Sequence, residues 1–385
     1  MNFSSHFSKT RRLIFNTGTR TGKHTPLCSK NRHVTTLSLA AKKRRGDKIT
    51  MVTAYDYPSA IHVHRANIDI ILVGDSCAMV ELGYDTTQPM TLEQMIHHCQ
   101  AVRRGVIFAC NNNNATPDNN NNNKPIKEKK KQKSHQSLLV GDMPFGTYEY
   151  QNVDKALENS YKLIQKGGMD AIKLEGGNKH RSNTIQHIVH SGGIAVMGHI
   201  GLTPQAISVI GGFRAQGRTA HRARELIDEA LRLQDAGVFA LVLECVPDNV
   251  AKAITETLEI PTIGIGAGQY TSGQVLVYHD MLGMMSHPHH DQFMPKFCKQ
   301  YAQVGHAITK GLEEFKKDVE NEVFPSNLYS PYKMNEHEKK LFDELLFQDA
   351  EERKSKHELT AKKLKEADEY EQLSLYGNSG NGNKS

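Results

Sequence analysis

The chain has 385 residues, a formal net charge of +6 and 38% hydrophobic residues. That length holds two ordinary domains or one α/β barrel with extensions, and no stretch is apolar for long enough to span a membrane. Six cysteines without close pairing (28, 77, 99, 110, 245 and 298) imply neither a disulfide framework nor a zinc cluster, and suit a reducing compartment.

The deficit of apolar residues is local: it sits in residues 1–45, in 110–136 and after about residue 330. What remains is roughly 250 residues, a common size for one barrel domain. The first acidic residue is Asp47, and before it Arg11, Arg12, Arg20, Lys23, Lys30 and Arg32 are spread among Ser, Thr and small apolar residues. That is the composition of a mitochondrial transit peptide, so residues 1–45 are assigned as a leader. The matrix is the expected location and the cytoplasm the alternative. A basic arm that touches nucleic acid is the less favoured reading.

Strands and helices then alternate. The first strand, 48–54, ends in Tyr55-Asp56-Tyr57-Pro58. The second is Asp69-Ile-Ile-Leu-Val-Gly-Asp-Ser76. A continuous apolar run of this kind reads as a parallel strand buried on both faces. Thr91 opens a helix through a capping box with Gln94, and Gly105 is the expected stop. Residues 110–136 are Asn-rich and then Lys-rich (the lysine run is 127–133), which predicts a disordered loop. It joins a helix to the next strand, and such loops lie on the barrel face opposite the active site. That strand, Ser137-Leu-Leu-Val-Gly-Asp-Met-Pro-Phe145, nearly copies the second. Five more strands are predicted: 170–175, 193–197 with Gly198-His199 after it, 238–244, 261–266 and 273–277. The whole predicts a (β/α)8 barrel over 46–330. Residues 331–385 form a charged tail, helical or disordered.

The strand ends carry the chemistry. In barrels, catalytic groups come from the carboxyl ends of several strands. Asp75 and Asp142 would offer hard oxygens to Mg²⁺, and Glu175 is a third ligand, directly or through water. Lys173 shares a strand face with Glu175 and is placed to meet a substrate anion. Glu244 is the candidate general base, since apolar Leu243 and Val246 beside it disfavour a buried charge. Tyr55 and His199 are supporting candidates. His287, His289 and His290 read as a solvated loop rather than a metal site. Gly264-Ile-Gly-Ala-Gly268 is a weak dinucleotide fingerprint.

Eight motifs in order resemble the ketopantoate hydroxymethyltransferase family. They are Thr53-Ala-Tyr-Asp56, Val73-Gly-Asp-Ser76, Gly83-Tyr-Asp-Thr-Thr87, Val140-Gly-Asp-Met-Pro-Phe-Gly146, Ile172-Lys-Leu-Glu-Gly-Gly177, Gly198-His-Ile-Gly-Leu-Thr-Pro-Gln205, Leu243-Glu-Cys-Val-Pro247 and Ile263-Gly-Ile-Gly-Ala-Gly268. The match spans about 48–325 without 110–136. Ser272 and Thr147 depart from the residues usual in the family. The resemblance implies a barrel of the phosphoenolpyruvate/pyruvate-binding type and a large homo-oligomer, commonly a decamer. It implies Asp75 and Asp142 as Mg²⁺ ligands with Glu175 close by, Ser76 and Lys173 on the keto acid, and Glu244 as base. The implied reaction joins a one-carbon unit from 5,10-methylenetetrahydrofolate to the enolate of 3-methyl-2-oxobutanoate, giving 2-dehydropantoate. A Mg²⁺-dependent C–C lyase or mutase is the nearest rival. The expected partners are small molecules and copies of the same chain, without nucleic acid or membrane.

Overall fold

The computed structural model describes residues 31–111, 134–149, 152–212, 214–284, 295–348 and 350–372. The chain divides into two compact units, Met1–His306 and Ala307–Ser385.

The first unit is built on eight parallel strands. They are β2 (Ile49–Thr53), β3 (Ile70–Val73), β5 (Leu138–Asp142), β6 (Ala171–Glu175), β7 (Val196–Gly201), β8 (Ala240–Glu244), β9 (Thr262–Ile265) and β10 (Gly273–Leu276). They close in the order β10-β2-β3-β5-β6-β7-β8-β9, as predicted. Two other short strands, β1 (Asn31–His33) and β4 (Ser134–Gln136), pair with each other in parallel. Helices α2 (Tyr57–Arg65), α4 (Leu92–Asn111), α5 (Val153–Gln165), α6 (Lys179–His190), α8 (Ala220–Asp235) and α9 (Asp248–Thr257) follow successive strands, with the short helices α3 (Cys77–Val80), α7 (Ile207–Ile210) and α10 (Tyr278–Met281) between them. One apolar cluster fills the space between strands and helices. A second, with Ile49, Met51, Ile70, Val140, Met197 and Ile263, fills the barrel itself. Both faces of β3 and β5 are therefore buried throughout, which is why these strands read as apolar runs, whereas β2 and β10 each expose one residue, Thr50 and Gln274.

The barrel's share of the chain begins earlier than residue 46. Residues 36–45 form helix α1 (Thr36–Arg45), capped by a Thr35–Ser38 capping box and closed by Gly46 at φ 77°. Leu39 is fully buried within the cluster that fills the barrel. Lys42 Nζ lies 2.7 Å from both carboxylate oxygens of Asp69, and Lys43 Nζ binds the carbonyls of Thr255, Leu258 and Ile260 at 2.7–2.9 Å. The lysines that read as leader composition are anchors of a helix that stoppers the barrel. The leader assignment is corrected accordingly: 36–45 belong to the fold, and 1–30 lie outside the described residues.

Two glycines also changed meaning. Helix α4 runs through Gly105 to Asn111. A Cβ at Gly105 would sit 2.5 Å from the Tyr57 carbonyl oxygen and 2.9 Å from Ala60 Cβ, so glycine permits close packing of α2 and α4 there. Strand β7 likewise runs through Gly198, where a Cβ would meet Leu241 and Leu233 side chains at 3.0 and 3.1 Å. Neither glycine is a turn residue. The capping box at Thr91 is present: Thr91 N–H donates to Gln94 Oε1 and Gln94 N–H to Thr91 Oγ1. The insertion is narrower than expected, because α4 reaches Asn111 and β4 starts at Ser134; residues 112–133 lie outside the described residues.

The second unit consists of helical segments. Helix α11 (Val304–Glu320) enters it and exposes Ile308, Leu312, Phe315 and Val319, and α12 (Glu336–Gln348) and α13 (Ala350–Gln372) follow. The first compact unit ends at His306. No helix among the described residues is long and apolar enough to cross a membrane.

Replacing Leu39 with alanine removes the buried stopper and leaves a cavity, at a cost of about 2–5 kcal/mol. Urea unfolding of Leu39→Ala should show a lower midpoint, and a chain begun at residue 46 a lower one still. Unchanged midpoints would mean that α1 contributes nothing to barrel stability.

Candidate active site

The carboxyl ends of the strands open into one cavity of about 810 Å³. Register places the polar residues side by side on its floor. Asp142 is opposite Lys173, Glu175 opposite His199, and Gly201 opposite Glu244. Ser76, Asp75, Asp142, Lys173, Glu175, His199 and Glu244 all line the cavity.

Each is held by short contacts. The backbone N–H of Asp75 donates to Asp142 Oδ2 at 2.9 Å, which ties the end of β3 to that of β5. Lys173 Nζ lies 2.9 Å from Asp142 Oδ1, as an ion pair rather than an aligned hydrogen bond. His199 sits between two acids, Nδ1 at 3.3 Å from Glu175 Oε1 and Nε2 at 3.2 Å from Glu244 Oε2. The Tyr55 hydroxyl and Ser76 Oγ are 2.6 Å apart, and the Tyr55 ring stacks on His279. Tyr55 therefore stands behind Ser76, as its support.

Four carboxyl groups (Asp75, Asp142, Glu175, Glu244) thus surround two basic groups, Lys173 and His199. Burial, then the charges of Asp142 and Glu175, push the Asp75 carboxyl well above its ordinary range. Burial works against a charged Lys173, but Asp142, Glu175 and Asp75 outweigh it and raise the amine. Burial also opposes a charged His199, yet the adjoining Glu175 and Glu244 push the ring up to about 9. Glu175 moves the other way: His199, Lys173 and the Gln205 N–H outweigh burial and hold it below its usual range.

Glu244 is placed differently from expectation. It caps β8 with His199 as its polar neighbour, so its setting is an ion pair and not the apolar one inferred from Leu243 and Val246. The chain bends sharply here. Gly201 has φ +98°, and a Cβ on it would strike the Glu244 carbonyl oxygen at 2.2 Å. Only glycine fits, and its absence of a side chain lets β7 and β8 converge at Glu244.

Several residues of the site were not singled out from sequence. Gln205, the last residue of the Gly198–Gln205 motif, reaches Asp75 Oδ2 at 2.7 Å and Glu175 Oε2, through its backbone N–H, at 3.1 Å. The Tyr148 hydroxyl bonds Gln205 Oε1. Thr87 lines the cavity with a buried hydroxyl that has no hydrogen-bond partner among the described residues. A Pro-Gln step directly after a strand end was the available signal for Gln205; nothing local marks Tyr148. His287, His289 and His290 lie outside the described residues.

Asp75 and Asp142 fit a hard divalent cation by their donor chemistry. Asp142 Oδ1 is buried without an aligned hydrogen bond, and the carboxyl groups outnumber the basic ones. Glu175 fits a direct ligand less well, since Oε1 faces His199 and Oε2 accepts from Gln205. Among the described residues no group of three or more His, Cys, Asp or Glu side chains is placed to hold a metal ion, so the expected trio of Asp75, Asp142 and Glu175 does not form a ready three-ligand cage.

Comparison with known proteins gives the family of the chain. The family model described as ketopantoate hydroxymethyltransferase matches residues 33–112 and 127–327. The chain is 52% identical to 3-methyl-2-oxobutanoate hydroxymethyltransferase 1, mitochondrial, of Oryza sativa subsp. japonica, over 79% of this chain and 75% of that one. It is also 52% identical to the protein of the same name from Arabidopsis thaliana, over 79% of each. The 3-methyl-2-oxobutanoate hydroxymethyltransferase of Moorella thermoacetica is 46% identical over 77% of this chain and 97% of its own. The match from residue 33 includes α1 and so agrees with its place in the barrel. With a family model covering most of the chain and relatives at this level of identity, the chain belongs to the ketopantoate hydroxymethyltransferase family.

Proposed function

We propose that this chain transfers a hydroxymethyl group from 5,10-methylenetetrahydrofolate to 3-methyl-2-oxobutanoate, forming 2-dehydropantoate, with Mg²⁺ as its cation. The observation that carries the reading is the juxtaposition, in one cavity, of the Asp75–Asp142 pair with Lys173 and of Glu244 with His199. The names of the relatives support the keto acid as substrate.

Asp75 and Asp142 would hold Mg²⁺, with Glu175 one layer behind. Bound there, the cation supplies Lewis acidity toward the 2-oxo group. Ser76 and Lys173 hold the keto acid, Lys173 as the cation facing its carboxylate. Glu244 removes the C3 proton. His199, charged between Glu175 and Glu244, fixes one Glu244 oxygen and leaves the other to act as base. The carbanion equivalent at C3 forms a bond to the donated carbon, both bonds of that carbon to folate nitrogens break, and water supplies the hydroxyl; the C3 proton and the second proton of water end on the two nitrogens of the departing tetrahydrofolate. The cavity has room for both substrates, and Met79, Val80, Leu202 and Phe297 give it an apolar wall suited to a flat ring system.

Two further readings follow from the relatives and the sequence together. Acting in mitochondria is supported by the mitochondrial names of the plant relatives and the acid-free, basic first 35 residues. Assembly as a homo-oligomer is supported by the exposed apolar stripe of α11.

Proton NMR of 3-methyl-2-oxobutanoate in D₂O tests the chemistry directly. The C3 proton signal should fade when protein and Mg²⁺ are both present, and Glu244→Gln should abolish the loss while binding Mg²⁺ nearly as well. Exchange at the parent rate in that variant removes Glu244 as base. No exchange in the parent, even with a folate analogue present, sinks the assignment.

His199 also predicts a pH dependence. Its folded-state value is raised from 6.5 to about 9, so its charge stabilises the fold fully below 6.5, and that contribution is lost as pH rises through about 9. The melting temperature of the cation-free protein should fall across this window. In His199→Gln it should start lower and fall less; an equally steep fall would place the titration elsewhere.

A further inference from the structure

Gln205 is 3% exposed and follows β7 in the short turn Pro204–Ala206. The ends of its side-chain amide are fixed by its partners. The Met143 carbonyl, 3.0 Å away, can only accept, so the group facing it is the Nε2 amine. The same Nε2 donates to Asp75 Oδ2 at 2.7 Å. On the other side, Oε1 accepts from the Tyr148 hydroxyl. That hydroxyl accepts from the Glu175 N–H at 3.3 Å, which leaves its own hydrogen for Gln205. The backbone N–H of Gln205 meanwhile donates to Glu175 Oε2 at 3.1 Å, and its carbonyl accepts from the Gln88 side chain at 2.9 Å.

We propose that Gln205 is a positioning residue that decides which oxygens of the acidic cluster are offered to a divalent cation. It occupies Oδ2 of Asp75, so Oδ1 is the oxygen left to bind. It occupies Oε2 of Glu175 while His199 faces Oε1, so Glu175 is held back from direct ligation. Tyr148 is the lock: it keeps the amide from turning over, which would set the Gln205 carbonyl against two acceptors, Met143 O and Asp75 Oδ2. This inference rests on the reading of Asp75 and Asp142 as cation ligands. It requires neither substrate nor turnover, so it can be tested on the protein with Mn²⁺ alone.

Mn²⁺ binding to the full chain, followed by the electron paramagnetic resonance signal of the free ion, is the experiment. Gln205→Met and Gln205→Glu should each weaken binding about 10–100-fold, as loss of an orienting partner does elsewhere. Tyr148→Phe should weaken it in the same direction, with little change in the melting temperature of the cation-free protein. The double variant Gln205→Met/Tyr148→Phe should bind no more weakly than Gln205→Met, because Tyr148 acts through the amide. Affinity within about twofold of the parent in Gln205→Met would overturn the proposal, as would additive losses in the double variant. Should Gln205→Met fail to fold, Tyr148→Phe decides: a lower melting temperature with parental affinity means that these residues only pack. A parent that binds no Mn²⁺ removes the cation site itself and this role with it.

Discussion

Carboxylates cannot be gathered in a dry site without something to balance them. Four acids meet at the rim of this barrel, and among the described residues Lys173 and His199 are the bases that pair with them. Each local arrangement follows from that imbalance. Lys173 is drawn onto Asp142, His199 is shared by Glu175 and Glu244, and Asp75, the acid left with an amide and a backbone contact, is the one whose charge burial opposes most visibly. Under the proposed function, a bound cation supplies the balance that the protein's own bases leave incomplete.

Barrel closure is what allows this concentration of charge. The parallel register puts residues of neighbouring strands at the same height, so Asp142 meets Lys173 and Glu175 meets His199 without help from loops. The floor of the site is rigid because it belongs to the sheet. Loops add the second tier: Gln205 from the segment after β7, Tyr148 from that after β5 and Gln88 from that before α4 meet behind the acids. The strands determine which groups are present, and the loops determine how those groups are turned.

Sequence patterns exposed the first tier and not the second. The strands stood out because burial on both faces favours short, mostly apolar runs, and the acids stood out because each lies at or just past the end of one. Gln205 and Tyr148 could not be read that way, since their partners are distant in the chain and no spacing rule links them. Gly105 and Gly198 resemble punctuation in the sequence, but packing between elements, invisible locally, demands a missing side chain at each. Helix α1 was concealed by composition. Its cluster Lys42, Lys43, Arg44, Arg45 continues the basic character of the residues before it, and only the tertiary partners of Lys42 and Lys43 separate anchor from leader.

The pairing of β1 with β4 bears on how the gene can change. Chain on either side of residues 112–133 is secured independently, by helix α4 on one side and by the β1–β4 ladder on the other. Both fastenings lie where strands begin, away from the rim that carries the acids. Codons can be gained or lost between them while selection on catalysis stays silent, which makes this junction a tolerant splice point. The same property recommends it to the protein engineer: an affinity tag or a fluorescent domain inserted there would report on the enzyme without entering its chemistry.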